Sequence, residues 1–378
     1  MTLVLKRLKS LGELYVLRVS SVTLDDMPSY RSSLFLSSAF FGALALSACG
    51  GGNEVTVTAA DGTTQVVEDP TIRIYTGRHY DLEEAFGQFT EETGISIEFL
   101  PGSDAELRER IAAEGEDTQA DIYMTVDAGN LAQAAAQGLF AEVDSDVLDS
   151  SIPDSLRDPD GQWFGLSQRA RTIVYSTERL SDEELPTTYA ELADPEWEGR
   201  VCLRTSSDAY TQSLVASLIG GRGEAEALDI VSGWADNANI LSNDVIALNS
   251  IRDGLCDVGI TNHYYLAREL EEDPNYPVGL LWADQDDGGT YVHISGAGIT
   301  RHADDPELAR LLIEWLATEG QSVFVDGNHE FPVNPDVPVV SIVEENFGSD
   351  FVTDDLSAAT WGALNADAVA VLDQASYE

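Results

Sequence analysis

The sequence predicts an α/β protein of two lobes, each a mixed, mostly parallel sheet flanked by helices, with a ligand cleft between the lobes. From Thr71 onward, short β-rich runs alternate with helical stretches, and the rhythm restarts after Trp163-Phe164-Gly165-Leu166. No internal repeat is evident, so two lobes joined by crossing strands is the economical architecture. Strands alternating with helices favour parallel pairing with both sheet faces covered. Such sheets bind ligands beyond the carboxyl ends of their strands. At 378 residues the chain is long enough to bury the core this needs.

Each element has its own signal. Ile72-Arg73-Ile74-Tyr75 reads as a strand. Asp81-Leu82-Glu83-Glu84 reads as a capping box that opens a helix whose apolar face is Leu82, Ala85, Phe86 and Phe89. Ile95 to Leu100 alternates as a strand, 104–114 is helical, Asp121 to Thr125 is a strand, and 128–137 is helical. In the second series, Thr172 to Tyr175 and Arg200 to Leu203 are strands. Helices at 210–220, 224–235 and 244–254 follow, and Val258-Gly259-Ile260-Thr261 is a further strand. Val278 to Trp282 and Tyr291 to Ile294 read as strands returning to the first lobe. Helices at 305–318 and about 319–326 come next, and the tail from 337 adds helical cover. The first lobe then spans 71–170, completed by about 290–325, and the second spans 171–289, completed by about 326–378.

The N-terminus indicates the compartment. Ser32 to Ser47 is apolar and rich in small residues, with Arg31 ahead of it, and is too short to span a bilayer comfortably. It ends in Leu46-Ser47-Ala48-Cys49-Gly50, which resembles a bacterial lipoprotein cleavage box. The expectation is a leader over 1–48, lipid attachment on Cys49, and a flexible tether over 49–70. Glu13, Asp25 and Asp26 suit no export leader, which points to Met27 as the true start. Cys202 and Cys256 are the cysteines left in the exported part. Outside the cytoplasm an even pair suggests a disulfide, which would tie the two loops that supply Tyr210 and Tyr264. Two separate buried thiols are the alternative.

The balance of 20 basic against 67 acidic residues gives a net charge of −47, and the only lysines, Lys6 and Lys9, lie in the leader. Such a surface repels nucleic acid and anionic lipid headgroups. The acids are spread along the chain and not gathered at one place, as expected for a surface adapted to a saline medium. A field that concentrates cations is the other reading.

The chemistry-bearing residues are tyrosines. Tyr264 and Tyr265 follow the apolar run Val258-Gly259-Ile260, Tyr80 follows Arg78-His79, and Tyr210 ends a polar turn beginning at Arg204. A phenol ionises near pH 10 when free, so binding a metal as phenolate at neutral pH takes a strong Lewis acid. Ferric iron is hard and oxygen-seeking, which favours it over zinc or copper for tyrosines clustered on loops with one histidine beside them. Tyr75, Tyr123, Tyr175, Tyr189 and Tyr291 read as packing residues, and His263, His293, His302 and His329 lack metal-ligand spacing. Asp127-Ala128-Gly129-Asn130 reads as a helix start facing the cleft. No Gly-x-Ser-x-Gly elbow, His-Glu-x-x-His helix or Walker loop is present, so the sequence gives no support for an enzyme.

Several segments together resemble a known family. They are Tyr75 to Tyr80; Ala120 to Leu131; Trp163 to Ser167 with Arg169-Ala170-Arg171; Cys202 to Ser217; Asn262-His263-Tyr264-Tyr265; and Phe331-Pro332-Val333. In order and spacing the chain resembles the periplasmic ferric-iron-binding proteins of ABC importers, the FutA/FbpA-like group, from about Ile72 to Val339. The resemblance implies the type II periplasmic-binding-protein fold and a monomer in the periplasm or on the outer face of the cytoplasmic membrane. It also implies an ABC permease as partner and no contact with nucleic acid. The membrane would be met only through the lipid anchor. It further implies Fe(III) held by His79 and Tyr80 from the first lobe and by Tyr210, Tyr264 and Tyr265 from the second. Arg268, with one of Arg169 and Arg171, would lie near the metal. Four phenolates leave a ferric site at net −1, so an arginine is a sensible counter-ion, or a holder for a synergistic anion such as carbonate. A binding protein for another small ligand, an anion or a polyamine, is the alternative.

Overall fold

A computed structural model describes residues 54–58, 64–78 and 83–378. The expected leader over 1–48, the start at Met27, the lipid site Cys49, and the candidate ligands His79 and Tyr80 all lie outside the described residues.

A short hairpin, β1 (Glu54–Thr58) and β2 (Thr64–Glu68), precedes β3 (Thr71–Thr76), α1 (Glu83–Thr93), β4 (Ser96–Pro101), α2 (Asp104–Glu114), β5 (Ile122–Thr125), α3 (Ala128–Ala136) and α4 (Asp146–Ser151). The long β6 (Phe164–Ser176) leads to β7 (Val201–Arg204), α5 (Ala209–Arg222), α6 (Glu224–Asn237), β8 (Ala238–Leu241), α7 (Asp244–Asp253), β9 (Val258–Asn262), α8 (His263–Glu272) and β10 (Val278–Leu281). The strand β11 (Val292–Ile299) is followed by α9 (Pro306–Ala317), α10 (Gln321–Asp326), α11 (Ser341–Phe347), α12 (Ala358–Ala363) and α13 (Asn365–Gln374).

Nine strands form one curled mixed sheet in the order β4-β3-β5-β11-β6-β9-β7-β8, with β10 also paired to β6. β3 runs parallel to β4 and β5 on one side, and β7 runs parallel to β8 and β9 on the other. Between them β6 and β11 run antiparallel. The first half of β6 pairs with β11, from Phe164↔Ala297 to Ala170↔Val292, and its second half pairs with β9, from Arg171↔Asn262 to Tyr175↔Val258. The architecture is two-lobed α/β, and these are its crossing strands. One core packs Ile72, Ile74, Phe86, Phe89, Leu312 and Leu316 beneath the first lobe. Another packs Val174, Cys202, Leu248, Ile251 and Leu266 beneath the second.

Three expectations need correction. The segment expected to be a free tether up to residue 70 contains the β1–β2 hairpin: Val55 and Val57 alternate with polar residues and bury their side chains against the first core. The pieces read separately at Trp163–Leu166 and Thr172–Tyr175 are one strand of 13 residues, β6. Of the two strands expected to return to the first lobe, β11 does so by pairing with β5, whereas β10 stays on the second half of β6, as in Val278↔Ser176.

Candidate site at the carboxyl ends of β7 and β9

β7 and β9 are parallel neighbours, and each feeds a helix at its carboxyl end. Asp208 caps α5, accepting a hydrogen bond from the Tyr210 backbone N–H at 2.9 Å, so Tyr210 sits in that helix's first turn. Tyr264 and Tyr265 sit in the first turn of α8, and Arg268 follows one turn later. The amide dipoles at a helix N-terminus favour negative charge, so both first turns suit an ionised phenol. Tyr210 and Tyr264 are buried and Tyr265 is half-buried.

Cationic side chains surround these rings. Arg169, fully buried in the middle of β6, donates Nη1 to the Tyr210 hydroxyl at 3.4 Å and Nη2 to the Val126 carbonyl oxygen ahead of α3. The guanidinium carbons of Arg169 and Arg204 lie 5.3 and 5.2 Å from the Tyr210 ring centroid. The Tyr264 and Tyr265 ring centroids are 4.3 Å apart, and the Arg268 guanidinium lies 5.4 and 6.0 Å from them. Burial works against the charge on Arg204, but Asp244, Asp208 and then Tyr265 outweigh it and hold the guanidinium ionised. Arg204 therefore senses tyrosines from both first turns.

The structure separates the two arginines that sequence left open. Arg169 reaches Tyr210. Arg171 turns into the second lobe and donates to Asp244 at 2.8 Å and Asn262 at 3.2 Å. Asp244 also accepts from Arg204, which pairs with the α5 cap Asp208 at 2.7 Å. The Cys202–Cys256 pair is a disulfide. Cys202 is the second residue of β7 and Cys256 lies two residues ahead of β9, so the bridge fastens the starts of those strands. It does not tie the loops at their far ends.

His263 and His293 are both buried within the fold. His263 is buried, its ring nitrogens facing the Ala170 carbonyl at 3.4 Å and the His329 carbonyl at 2.9 Å, and burial pushes it down to about 4. His293 packs its ring 4.9 Å from Tyr210; burial first, then Arg169 and Arg171, keeps it neutral. Tyr123 and Tyr189 donate their hydroxyls to the carbonyls of Asp104 and Arg171. Asp127 caps α3, accepting from the Asn130 N–H at 2.9 Å.

On the first-lobe side the described chain stops at Arg78, two residues before Tyr80. Arg78 is buried and donates Nη1 to Glu330 at 3.0 Å and to Ser167 at 3.1 Å, while its guanidinium stacks 4.3 Å from the Phe324 ring. Gly77 lies so close to α2 that a Cβ on it would stand 2.0 Å from Asp104 Oδ1. Arg78, Arg204, Asn328 and Glu330 were not singled out from sequence. Arg78 and Arg204 lie inside motif segments, but which groups they meet depends on tertiary contacts.

A family model for bacterial extracellular solute-binding proteins matches residues 117–350. Iron uptake protein A1 of Synechocystis sp. is 37% identical over 363 residues, covering 93% of this chain and 99% of that protein. The Fe(3+)-binding periplasmic protein of Serratia marcescens is 28% identical over 275 residues, covering 71% of this chain and 80% of that protein. A solved Trichodesmium FutA in complex with iron and citrate matches with a TM-score of 0.76 at 36% identity, covering 82% of this chain and 100% of that one. A ferric binding protein from Campylobacter jejuni matches with a TM-score of 0.76 at 29% identity, covering 81% of this chain and 100% of that one. The chain belongs to the bacterial extracellular solute-binding protein family, within its FutA/FbpA-like group.

Proposed function

We propose that this protein captures Fe(III) outside the cytoplasm and delivers it to an ABC-type importer, without catalysing a reaction. Tyr210, Tyr264 and Tyr265 supply phenolates from the second lobe, and Tyr80, with His79, supplies donors from the first. The observation that carries this reading is the gathering of three tyrosines at two helix N-termini under the guanidiniums of Arg169, Arg204 and Arg268. Positive charge of that density lowers the cost of ionising phenols, and a trivalent cation completes the charge balance. Arg169 and Arg268 also suit a small synergistic anion such as carbonate. Ligands from both lobes make closure and metal capture one event, because the metal crosslinks the lobes and stabilises the closed form.

The remaining parts of the reading concern where the protein works. A leader ending at Cys49 would give a lipid-anchored monomer in the periplasm or on the outer face of the membrane. The acidic surface fits a saline medium. The test is an absorbance titration with Fe(III) and Fe(II). A phenolate-to-iron charge-transfer band that saturates at one Fe(III) per chain is expected. Iron binding without a visible band would refute tyrosine ligation.

A further inference from the structure

Between α10 and the tail, the chain passes beside the middle of β6. Gln168 and Phe331 exchange backbone hydrogen bonds at 2.8 and 2.9 Å, which seats Glu330 at the crossing strands with no exposure to solvent. Both oxygens of this carboxylate accept hydrogen bonds. Arg78 Nη1 donates to Oε2 at 3.0 Å, and Asn328 Nδ2 donates to Oε1. Asn328, itself buried, uses its other amide atom to accept from Arg268 Nη2. A carboxylate on one side and a guanidinium on the other fix the orientation of that amide. Burial pushes Glu330 up, but Arg78, then Arg169, Ser167 and Asn328, outweigh it and hold the carboxyl below its usual range.

The chain of contacts therefore runs Arg268–Asn328–Glu330–Arg78. At one end Arg268 covers Tyr264 and Tyr265; at the other, Arg78 immediately precedes His79 and Tyr80 in sequence. We infer that Glu330 and Asn328 are positioning residues for the metal site, holding Arg268 over Tyr264 and Tyr265 and tying it to Arg78 on the first-lobe side. This rests on the proposed tyrosine–iron reading. A fully buried ion pair is weak support for stability, because desolvating two charges offsets most of their attraction. Orienting both arginines is a role that a pair of apolar residues could not take over. A ligand's hydrogen-bonded neighbours set its geometry, and losing one typically weakens metal affinity about 10–100-fold.

The experiment uses the full chain with Glu330→Gln and Asn328→Ala. A glutamine amide offers one acceptor where Arg78 and Asn328 both donate, so Glu330→Gln breaks one link whichever way it turns. Asn328→Ala removes the path to Arg268 without leaving a buried charge uncompensated, and serves if Glu330→Gln does not fold. Each variant is loaded with Fe(III), its visible band recorded, and iron loss to a competing chelator timed. The expected results are a shifted band and iron loss about 10–100-fold faster. In an Arg268→Ala background, Asn328→Ala should add little, since both changes act on one link. A folded Asn328→Ala variant with the parent's band and release rate overturns the inference and leaves the iron reading standing. A parent chain that develops no Fe(III)-dependent band overturns both.

Discussion

Arg169 has no contact with solvent, yet its two terminal nitrogens meet the Tyr210 hydroxyl and the Val126 carbonyl oxygen, groups that arrive from different parts of the sheet. A buried cation is costly unless negative charge faces it. Glu330 is one such charge, and in the proposed iron site a Tyr210 phenolate would be another. Lysine at this position keeps the charge but cannot serve both acceptors from one planar group. Arg169→Lys is therefore expected to weaken Fe(III) binding by about 10–100-fold in a chelator competition; unchanged affinity would remove Arg169 from the site. A second prediction concerns packing. Gly77→Ala places a methyl group against Asp104 Oδ1 and should cost about 1–3 kcal/mol in denaturant unfolding, as overpacked positions do. The apolar run before Tyr264-Tyr265 and the helix opening at Tyr210 were legible in sequence, but loops were expected to carry the phenols, and the helix that opens at His263 was not. Nor was the choice between Arg169 and Arg171. Alternation puts residues two apart on one face of a strand, and Asp244 at the start of α7, with Asn262 at the end of β9, draws Arg171 away.

The disulfide lies at the starts of β7 and β9, whereas the phenols lie beyond their ends, so its effect on stability should separate from binding. It closes a loop with a sequence separation of 54. Chain-entropy arguments assign such a loop on the order of 4 kcal/mol, with measured values often lower. Cys202→Ser with Cys256→Ser is expected to lower unfolding free energy by about 2–4 kcal/mol while leaving the charge-transfer band of the folded protein in place. A band lost together with the bridge would mean that the bridge shapes the tyrosine segments after all. Most helices and buried strands were readable from periodicity, including α2 and β9. The edge strand β8 was missed because Ala238-Asn239-Ile240-Leu241 is short and without alternation, and it forms only by pairing with β7. β10 looked like β11 in sequence, since both are short apolar runs, and only their partners on β6 and β5 distinguish them.

Across the whole molecule the net charge of −47 makes the folded chain repel itself, and salt screens that repulsion. Thermal stability is expected to rise steadily as sodium chloride is raised to about 1 M, where the screening length falls to about 3 Å. A melting temperature indifferent to salt would contradict the saline reading. Buried acids add a pH dependence of known sign. Burial, then Asp127, pushes Asp104 up to about 7, and burial pushes Asp354 up to about 6. Above the ordinary carboxyl value of 3.8 the unfolded chain has released these protons while the folded chain keeps them. The folded form then binds more protons, and its stability falls as pH rises through the two folded values. The melting temperature should therefore be lower at about pH 8 than at about pH 5, and the opposite order would show that these acids ionise freely in the fold. The proposed closure around a cation makes one further demand, that phenol oxygens and iron share electrons. Resonance Raman excited within the visible band of the Fe(III)-loaded parent and the Tyr264→Phe/Tyr265→Phe variant tests it. Tyrosinate ring modes should be present in the parent and lost, with the colour, in a folded variant. A coloured variant with the parent's spectrum would place the metal elsewhere.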